Sequence, residues 1–255
     1  MKGKAIIVTG GSSGMGLHMA KRFAKEGANV LITGRDEERL AKAKDFIEET
    51  STGRLHTFSM DVRNVEEVDE MVEETIKTFE GIDHLINNAA GNFLVQAEDL
   101  SVNGWNAVID IVLNGTFYCS QAVGKHWIEH KKQGSILNMV ATYAWDAGAG
   151  VIHSAAAKAG VLSMTRTLAV EWGTKYGIRV NAIAPGPIER TGGSEKLMLS
   201  EEVAERTRQS IPLKRFGRPE EIAGLANFLL SEEAAYINGE VVTMDGGQWL
   251  NPFPF

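Results

Sequence analysis

The chain of 255 residues has a single cysteine, Cys119, so no internal disulfide can form and the disulfide-stapled secreted classes are excluded. Cys119 lies in an apolar helical stretch and reads as a packing residue. No apolar run approaches the length of a membrane span, and with few residues before the first strand no signal peptide is expected. A cytoplasmic location is the expectation. Positive charge is also scarce: the net charge is -7. Nucleic-acid binders present basic surfaces, so that class of partner is not expected. Linkers rich in proline, glycine or serine, low-complexity tracts and internal repeats are all missing, which favours one domain over the whole chain.

What the chain does have is a glycine-rich stretch, Thr9–Gly16, reading TGGSSGMG. It follows the apolar run Ala5–Val8 and precedes an amphipathic helical pattern from Leu17 to Glu26. Strand, glycine turn and helix form a phosphate cradle when no side chain obstructs the helix N-terminus. Gly10, Gly14 and Gly16 meet that need, with Ser12, Ser13 and Met15 between them.

Strand and helix patterns then alternate. Strands are expected at Val30–Thr33, Leu55–Met60, from His84 to Ile86, and at Ser135–Val140, Arg179–Ala184 and Val241–Met244. Helices are expected at Asp36–Thr50, Val65–Phe79, Ser154–Tyr176, Glu201–Gln209 and Pro219–Leu230. One long helix, with a break near its start, is expected over Val102–Lys132. This order predicts an α/β protein: a doubly wound Rossmann fold, seven parallel strands with helices on both faces. Ligands of such sheets bind beyond the carboxyl ends of the strands, where the chemistry-bearing residues cluster.

At the end of the second strand, the place for a ribose-binding acidic residue falls on Gly34, and Arg35 follows. A carboxylate would repel a 2′-phosphate and a guanidinium pairs with it, so NADP(H) is expected over NAD(H). The alternative is that Arg35 caps or solvates the next helix. Asp61 and Val62 follow the third strand; by position alone Asp61 is a candidate cap for the helix at Val65, where Asn64 competes for the cap. Asn87–Gly91 reads NNAAG, and small residues there let the backbone approach a cofactor. Asn92 follows in the same loop, where an isolated asparagine is ordinarily a turn residue. Pro185, Gly186, Pro187 and Ile188 follow the sixth strand, and the polar segment 189–212 reads as a substrate lid. No metal site is expected.

The TGxxxGxG spacing and the NNAAG and PGPI segments resemble the short-chain dehydrogenase/reductase family over essentially the whole chain. The resemblance implies that Asp61, Asn88, Ala89 and Ala90 lie against the adenosine half of the cofactor. It also implies that the Ile188 backbone and Thr191 hold the carboxamide, and that Asn114 is a helix-kink asparagine supporting a lysine through water. Most members carry a serine, then thirteen residues later a tyrosine, then four later a lysine. Here Lys158 keeps its place, Ser154 stands where the tyrosine belongs and Ala141 where the serine belongs. A serine hydroxyl is too weak an acid to protonate a carbonyl near neutral pH. Either the chain has lost catalysis and only binds a nucleotide, or another acid serves another reaction.

Tyr143, fifteen residues before Lys158 at the same sheet edge, favours the second reading. Asn92, Tyr143, Ser154 and Lys158 together, with NNAAGNF, LNGTF at Leu113–Phe117 and SAAAKAGV at Ser154–Val161, resemble the family's 2,4-dienoyl-CoA reductase branch. That resemblance implies an acyl-CoA thioester substrate reduced to a 3-enoyl thioester, with Tyr143 and Asn92 as donors to the developing oxyanion. Reduction of another enoyl or 3-oxo thioester is the nearest alternative. The family also implies a homotetramer, built through the two long central helices. The C-terminal Asn251–Phe255, with two phenylalanines, either reaches a neighbour or is a frayed tail.

Overall fold

A computed structural model describes residues 1–192 and 200–251. Seven strands form one sheet: β1 (Ala5–Val8), β2 (Asn29–Gly34), β3 (Leu55–Ser59), β4 (His84–Asn87), β5 (Ser135–Met139), β6 (Arg179–Pro185) and β7 (Val241–Met244). Their order is β3-β2-β1-β4-β5-β6-β7, and every pairing is parallel. The helices are α1 (Gly14–Lys25), α2 (Glu37–Glu48), α3 (Val65–Phe79), α4 (Val102–Ile109), α5 (Gly115–Glu129), α6 (Ile152–Tyr176), α7 (Glu201–Ser210) and α8 (Pro219–Leu230).

Alternation along the strands sorts the core into two faces, as a strand's period of two requires. Ile6, Val8, Val30, Ile32 and Ile86 pack with Met19 and Phe23 of α1, Leu40 and Ile47 of α2, and Ile222 and Leu229 of α8. Ala5, Ile7, Leu31 and Leu85 face the other way, onto Val68 and Met71 of α3 and Cys119, Val123 and Trp127 of α5. Runs such as AIIV in β1 are apolar throughout because both faces are covered. The strand order reverses between β1 and β4, and the loops leaving these two strands flank the resulting crevice.

The long helix over Val102–Lys132 is broken near its start, as expected: a π-helical segment, Asp110–Asn114, separates α4 from α5, and α5 ends at Glu129. That wider turn is the physical form of the break. α6 starts at Ile152, two residues before the expected Ser154. Within the lid expected over 189–212, α7 covers 201–210, whereas 193–199 lie outside the described residues, as do 252–255 of the C-terminal segment. Among the described residues no helix is long and apolar enough to cross a membrane.

Trp127 is fully buried, and its indole nitrogen donates to the Ile82 carbonyl at 2.7 Å. Trp127→Ala would leave a cavity and an unpartnered carbonyl, and is expected to lower the unfolding free energy by about 3–5 kcal/mol in a denaturant titration. A loss below about 1 kcal/mol, the size of an ordinary substitution, would show that this half of the core is not closely packed.

Candidate active site

The glycine turn is built as the cradle requires. Gly10 and Gly14 have φ of 63° and 52°, in the left-handed region that glycine enters without steric cost. A Cβ on Gly16 would lie 2.5 Å from the Gly10 carbonyl oxygen and would also strike the Asn88 amide. α1 carries no acidic residue in its first turn and Ser13 makes no side-chain cap, whereas the first turns of α2, α3, α7 and α8 all carry glutamates. Its first N–H groups and dipole are therefore suited to an anion, and the residues fit a dinucleotide pyrophosphate. Met15 is half-buried against the α1 face of the core.

The loop after β4 is latched to this turn. Asn88 Nδ2 donates to the carbonyls of Thr9 and Gly10, both at 3.0 Å. Thr9 Oγ1 accepts from the backbone N–H of Asn88 at 3.0 Å and of Ala89 at 3.1 Å. A Cβ on Gly10 would come within 2.9 Å of the Ala89 Cα. Beneath the loop, Asn87 Nδ2 donates to Ser120 Oγ and Asn138 Oδ1, and Asn138 donates to Thr165 Oγ1, all at 2.9 Å. The roles of Thr9, Asn87 and Asn138 were not legible in the motif; they are cross-strand contacts that only the β1-β4-β5 register creates. Ala90 is exposed.

At the adenosine end, Asp36 caps α2 by accepting from Arg39 N at 3.0 Å, so Arg35 is not the cap. Arg35 is exposed, with Nη1 3.8 Å from Asp61 Oδ2. A Cβ at Gly34 would stand 3.2 Å from Ser12 Oγ, which joins this strand end to the glycine turn. Asn64, not Asp61, caps α3. Asp61 is instead gripped by Arg63, whose Nε reaches both carboxylate oxygens at 3.0 Å, and these hydrogen bonds hold its carboxyl below the usual range. Arg63 brings a second guanidinium to this corner that the sequence reading did not single out. The Val62 side chain is buried against Gly115, so only its backbone is available to a ligand.

The loop after β6 returns to the glycine turn. Thr191 Oγ1 donates to the Ile188 carbonyl at 2.9 Å, and a Cβ on Gly14 would touch the Thr191 methyl at 3.5 Å. Gly186 leaves no room for a side chain against Asp245, and the Pro187 carbonyl accepts from Gly217 N at 3.0 Å. The glycine turn and the loop after β6 thus lie side by side.

The reactive groups converge between β5 and α6. Tyr143 sits on a 3-10 turn, Thr142–Ala144, and its hydroxyl is 3.1 Å from Ser154 Oγ. The displaced tyrosine therefore reaches the position where the family's tyrosine would begin. Burial pushes the phenol pKa up, outweighing the opposing hydrogen bond to Ser154, so Tyr143 stays protonated at neutral pH and keeps an O–H able to donate. Lys158, one helical turn beyond Ser154, is buried and its Nζ donates to the Met139 carbonyl at 2.5 Å. Desolvation lowers its pKa to about 8. Asn114 ends the π-helical segment and donates to Asp110 Oδ1 at 2.9 Å.

The Asn92 loop packs on the start of α6. Phe93 meets the fully buried His153 ring edge to face with centroids 4.4 Å apart, and Val95 N donates to the Gly150 carbonyl at 3.0 Å. Asn92 Oδ1 accepts from Phe93 N at 2.9 Å, and among the described residues its amide nitrogen makes no hydrogen bond. The turn role and a donor role are thus compatible in one side chain.

A parallel sheet with a glycine turn at its reversal point, and a buried lysine one helical turn from the serine that meets a phenol, is the layout of a nucleotide-dependent oxidoreductase. Residues 10–248 match the sequence profile of the family described as Enoyl-(Acyl carrier protein) reductase. The chain is 65% identical over 255 residues, covering 100% of both, to a protein of Bacillus subtilis (strain 168) named "Probable 2,4-dienoyl-CoA reductase [(2E)-enoyl-CoA-producing]". It is 41% identical over 244 residues, 96% of this chain and 81% of the other, to "Peroxisomal 2,4-dienoyl-CoA reductase [(3E)-enoyl-CoA-producing]" of Danio rerio. A crystal structure of a short chain dehydrogenase from Bacillus anthracis superposes with a TM-score of 0.91 at 65% identity, covering 99% of each chain. The chain belongs to the short-chain dehydrogenase/reductase family, and it is an oxidoreductase.

Burial of Lys158 has a measurable thermodynamic consequence. Between the folded pKa of about 8 and the unfolded value of 10.5, the unfolded chain binds a proton that the folded chain does not. Stability contributed through this group therefore rises with pH in that window, and its burial penalty is fully present below it. Lys158→Met removes the penalty. Denaturant titrations are expected to show the variant gaining on the unmodified protein at pH 7 and losing that relative gain by pH 10. A stability difference that stays constant with pH would mean that the ammonium is not desolvated.

Proposed function

We propose that the protein is an NADPH-dependent 2,4-dienoyl-CoA reductase. The observation that carries this reading is the hydrogen bond between the Tyr143 hydroxyl and Ser154 Oγ, which brings a protonated phenol into a site that lacks the family's own tyrosine. The glycine turn, with Ser12, Ser13 and Asn88, would hold the cofactor phosphates. Asp61, Val62, Ala89 and Ala90 would flank the adenosine, Arg35 its 2′-phosphate, Lys158 the nicotinamide ribose, and Pro185, Gly186, Ile188 and Thr191 the carboxamide. When bound, the cofactor supplies a hydride to the distal carbon of the diene.

The electron pair then moves through the conjugated system onto the thioester oxygen. Tyr143 and Asn92 donate hydrogen bonds to that oxygen as its charge develops. Such preorganised donors are commonly the largest single catalytic contribution. Lys158 keeps positive charge beneath the ribose, and Ser154 orients the phenol. Asn114, at the π-helical junction, supports Lys158 through water. No carbonyl carbon is reduced, so no alkoxide has to be protonated, which is why a serine is tolerated in the tyrosine's place. Protonation of the dienolate at its α-carbon gives the 3-enoyl thioester. Protonation at the γ-carbon would give the 2-enoyl product in the name of the Bacillus subtilis relative. A homotetramer accounts for the exposed apolar residues Phe117 on α5 and Val170 and Tyr176 on α6.

Loss of NADPH absorbance with hexadienoyl-CoA tests the activity. Tyr143→Phe is expected to cut turnover by about 10²–10³ while NADPH affinity stays within twofold, the pattern of a lost oxyanion donor. Retention of most activity would remove Tyr143 from the mechanism, and abolition by Ser154→Ala alone would give the serine the family tyrosine's role. Arg35→Ala is expected to erase most of a preference for NADPH over NADH of about tenfold to a hundredfold, the worth of one charge-assisted contact. Equal use of both cofactors by the unmodified protein would contradict that assignment.

A further inference from the structure

Two tryptophans distant in sequence meet beside the Tyr143 turn. The rings of Trp145 and Trp249 pack edge to face, with centroids 5.8 Å apart and planes at 81°. Both keep an open surface, at 37% and 39% exposure, although indoles are among the residues that gain most from cover.

The position of each ring is fixed by the backbone. Trp145 immediately follows the 3-10 turn that carries Tyr143. Trp249 lies on a C-terminal turn held by Asp245, whose two carboxylate oxygens accept from the backbone N–H of Gly247 and of Trp249, each at 2.8 Å. The same turn is tied to the end of α7, where Gln248 Nε2 donates to Ser210 Oγ at 2.9 Å and Asn251 Nδ2 to the Ser210 carbonyl at 3.4 Å. The Gly246 carbonyl accepts from Leu213 N at 3.4 Å, which places the exposed Leu213 on this joint, and Leu250 on the same turn is also exposed. Both Asp245 oxygens are engaged by backbone N–H groups, so its carboxylate is spent on holding the turn.

We infer that the Trp145–Trp249 pair is the wall of a subsite for the apolar acyl chain beyond the reacting diene, and that it sets chain-length preference; this rests on the thioester reading above. An acyl chain offers no polar group, so it is recognised only through the area it buries. Rigid aromatic rings supply that area with little loss of side-chain entropy. Continuity with the site is direct, since Trp145 is two residues from the phenol that meets Ser154. Each additional methylene seated against the pair is worth about fourfold in affinity.

The test is a series of 2,4-dienoyl-CoA substrates from hexadienoyl to dodecadienoyl, assayed with the unmodified protein, Trp249→Ala, Trp249→Phe and Trp145→Ala. Calorimetric binding of dodecanoyl-CoA and butanoyl-CoA to the NADP⁺ complex accompanies it. The ratio of kcat/KM for decadienoyl-CoA to that for hexadienoyl-CoA is expected to fall about tenfold in either alanine variant, mainly through KM, and to be restored by Trp249→Phe; just under two methylenes' worth of contact at the pair would give that size. The calorimetric preference for the longer saturated thioester is expected to fall in parallel. Equal losses at every chain length, or no loss, would overturn the inference. So would a change in oligomeric state with the chain-length profile intact, which would make the pair a contact between copies. If the unmodified protein reduces no dienoyl thioester, the proposed reaction fails by itself, and the calorimetric preference still decides whether the pair binds an acyl chain.

Discussion

Everything at the carboxyl edge of the sheet depends on how closely the loop after β4 approaches the turn after β1. Asn88 spends its amide on the Thr9 and Gly10 carbonyls, and Thr9 spends its hydroxyl on two N–H groups of the other loop. That exchange satisfies backbone groups which the switch in strand order would otherwise leave without a ladder. It is sterically feasible only because residues 10 and 16 lack a Cβ. The same approach opens the N-terminus of α1 to an anion and sets the NNAAG backbone along the crevice, so cofactor binding and fold share one constraint.

The second half of the site is organised by a cost. Lys158 is held out of water with one carbonyl as its hydrogen-bond partner, and its lowered pKa records that penalty. A buried, incompletely compensated cation contributes nothing to holding the fold together, and such groups mark sites where stability has been exchanged for chemistry. Tyr143 is treated in the opposite sense: burial raises its pKa and keeps its proton in place. In the proposed reaction the two would serve as a charge and a neutral donor, a combination that stabilises a developing oxyanion without transferring a proton to it.

The fold class, seven parallel strands with helices on both faces, could be read from alternating periodicity and the glycine spacing, because each strand buried on two faces leaves an unbroken apolar run. The departure of Ser154 from the family pattern, and the presence of Tyr143 at the same sheet edge, could also be read. The break near the start of the Val102–Lys132 helix was expected, whereas its form, the π-helical turn Asp110–Asn114, could not be read, since a single wider turn leaves the apolar periodicity nearly intact. Arg63 escaped notice because its role arises from gripping Asp61 across two residues of loop. Asn87, Asn138 and Thr165 form a line only after β4 and β5 pair. The tryptophan pair was hidden for the same reason: 104 positions of sequence separate its members, from residue 145 to residue 249.

The central claim is that a tyrosine displaced onto the β5 turn takes over contact with the reacting oxygen. It is tested most directly by the structure of a ternary complex with NADP⁺ and a non-reducible enoyl thioester. The account predicts the Tyr143 hydroxyl and the Asn92 amide both within hydrogen-bond distance of the thioester oxygen, about 2.6–3.1 Å. A complex in which Ser154 Oγ alone meets that oxygen, with the phenol turned away, would contradict it.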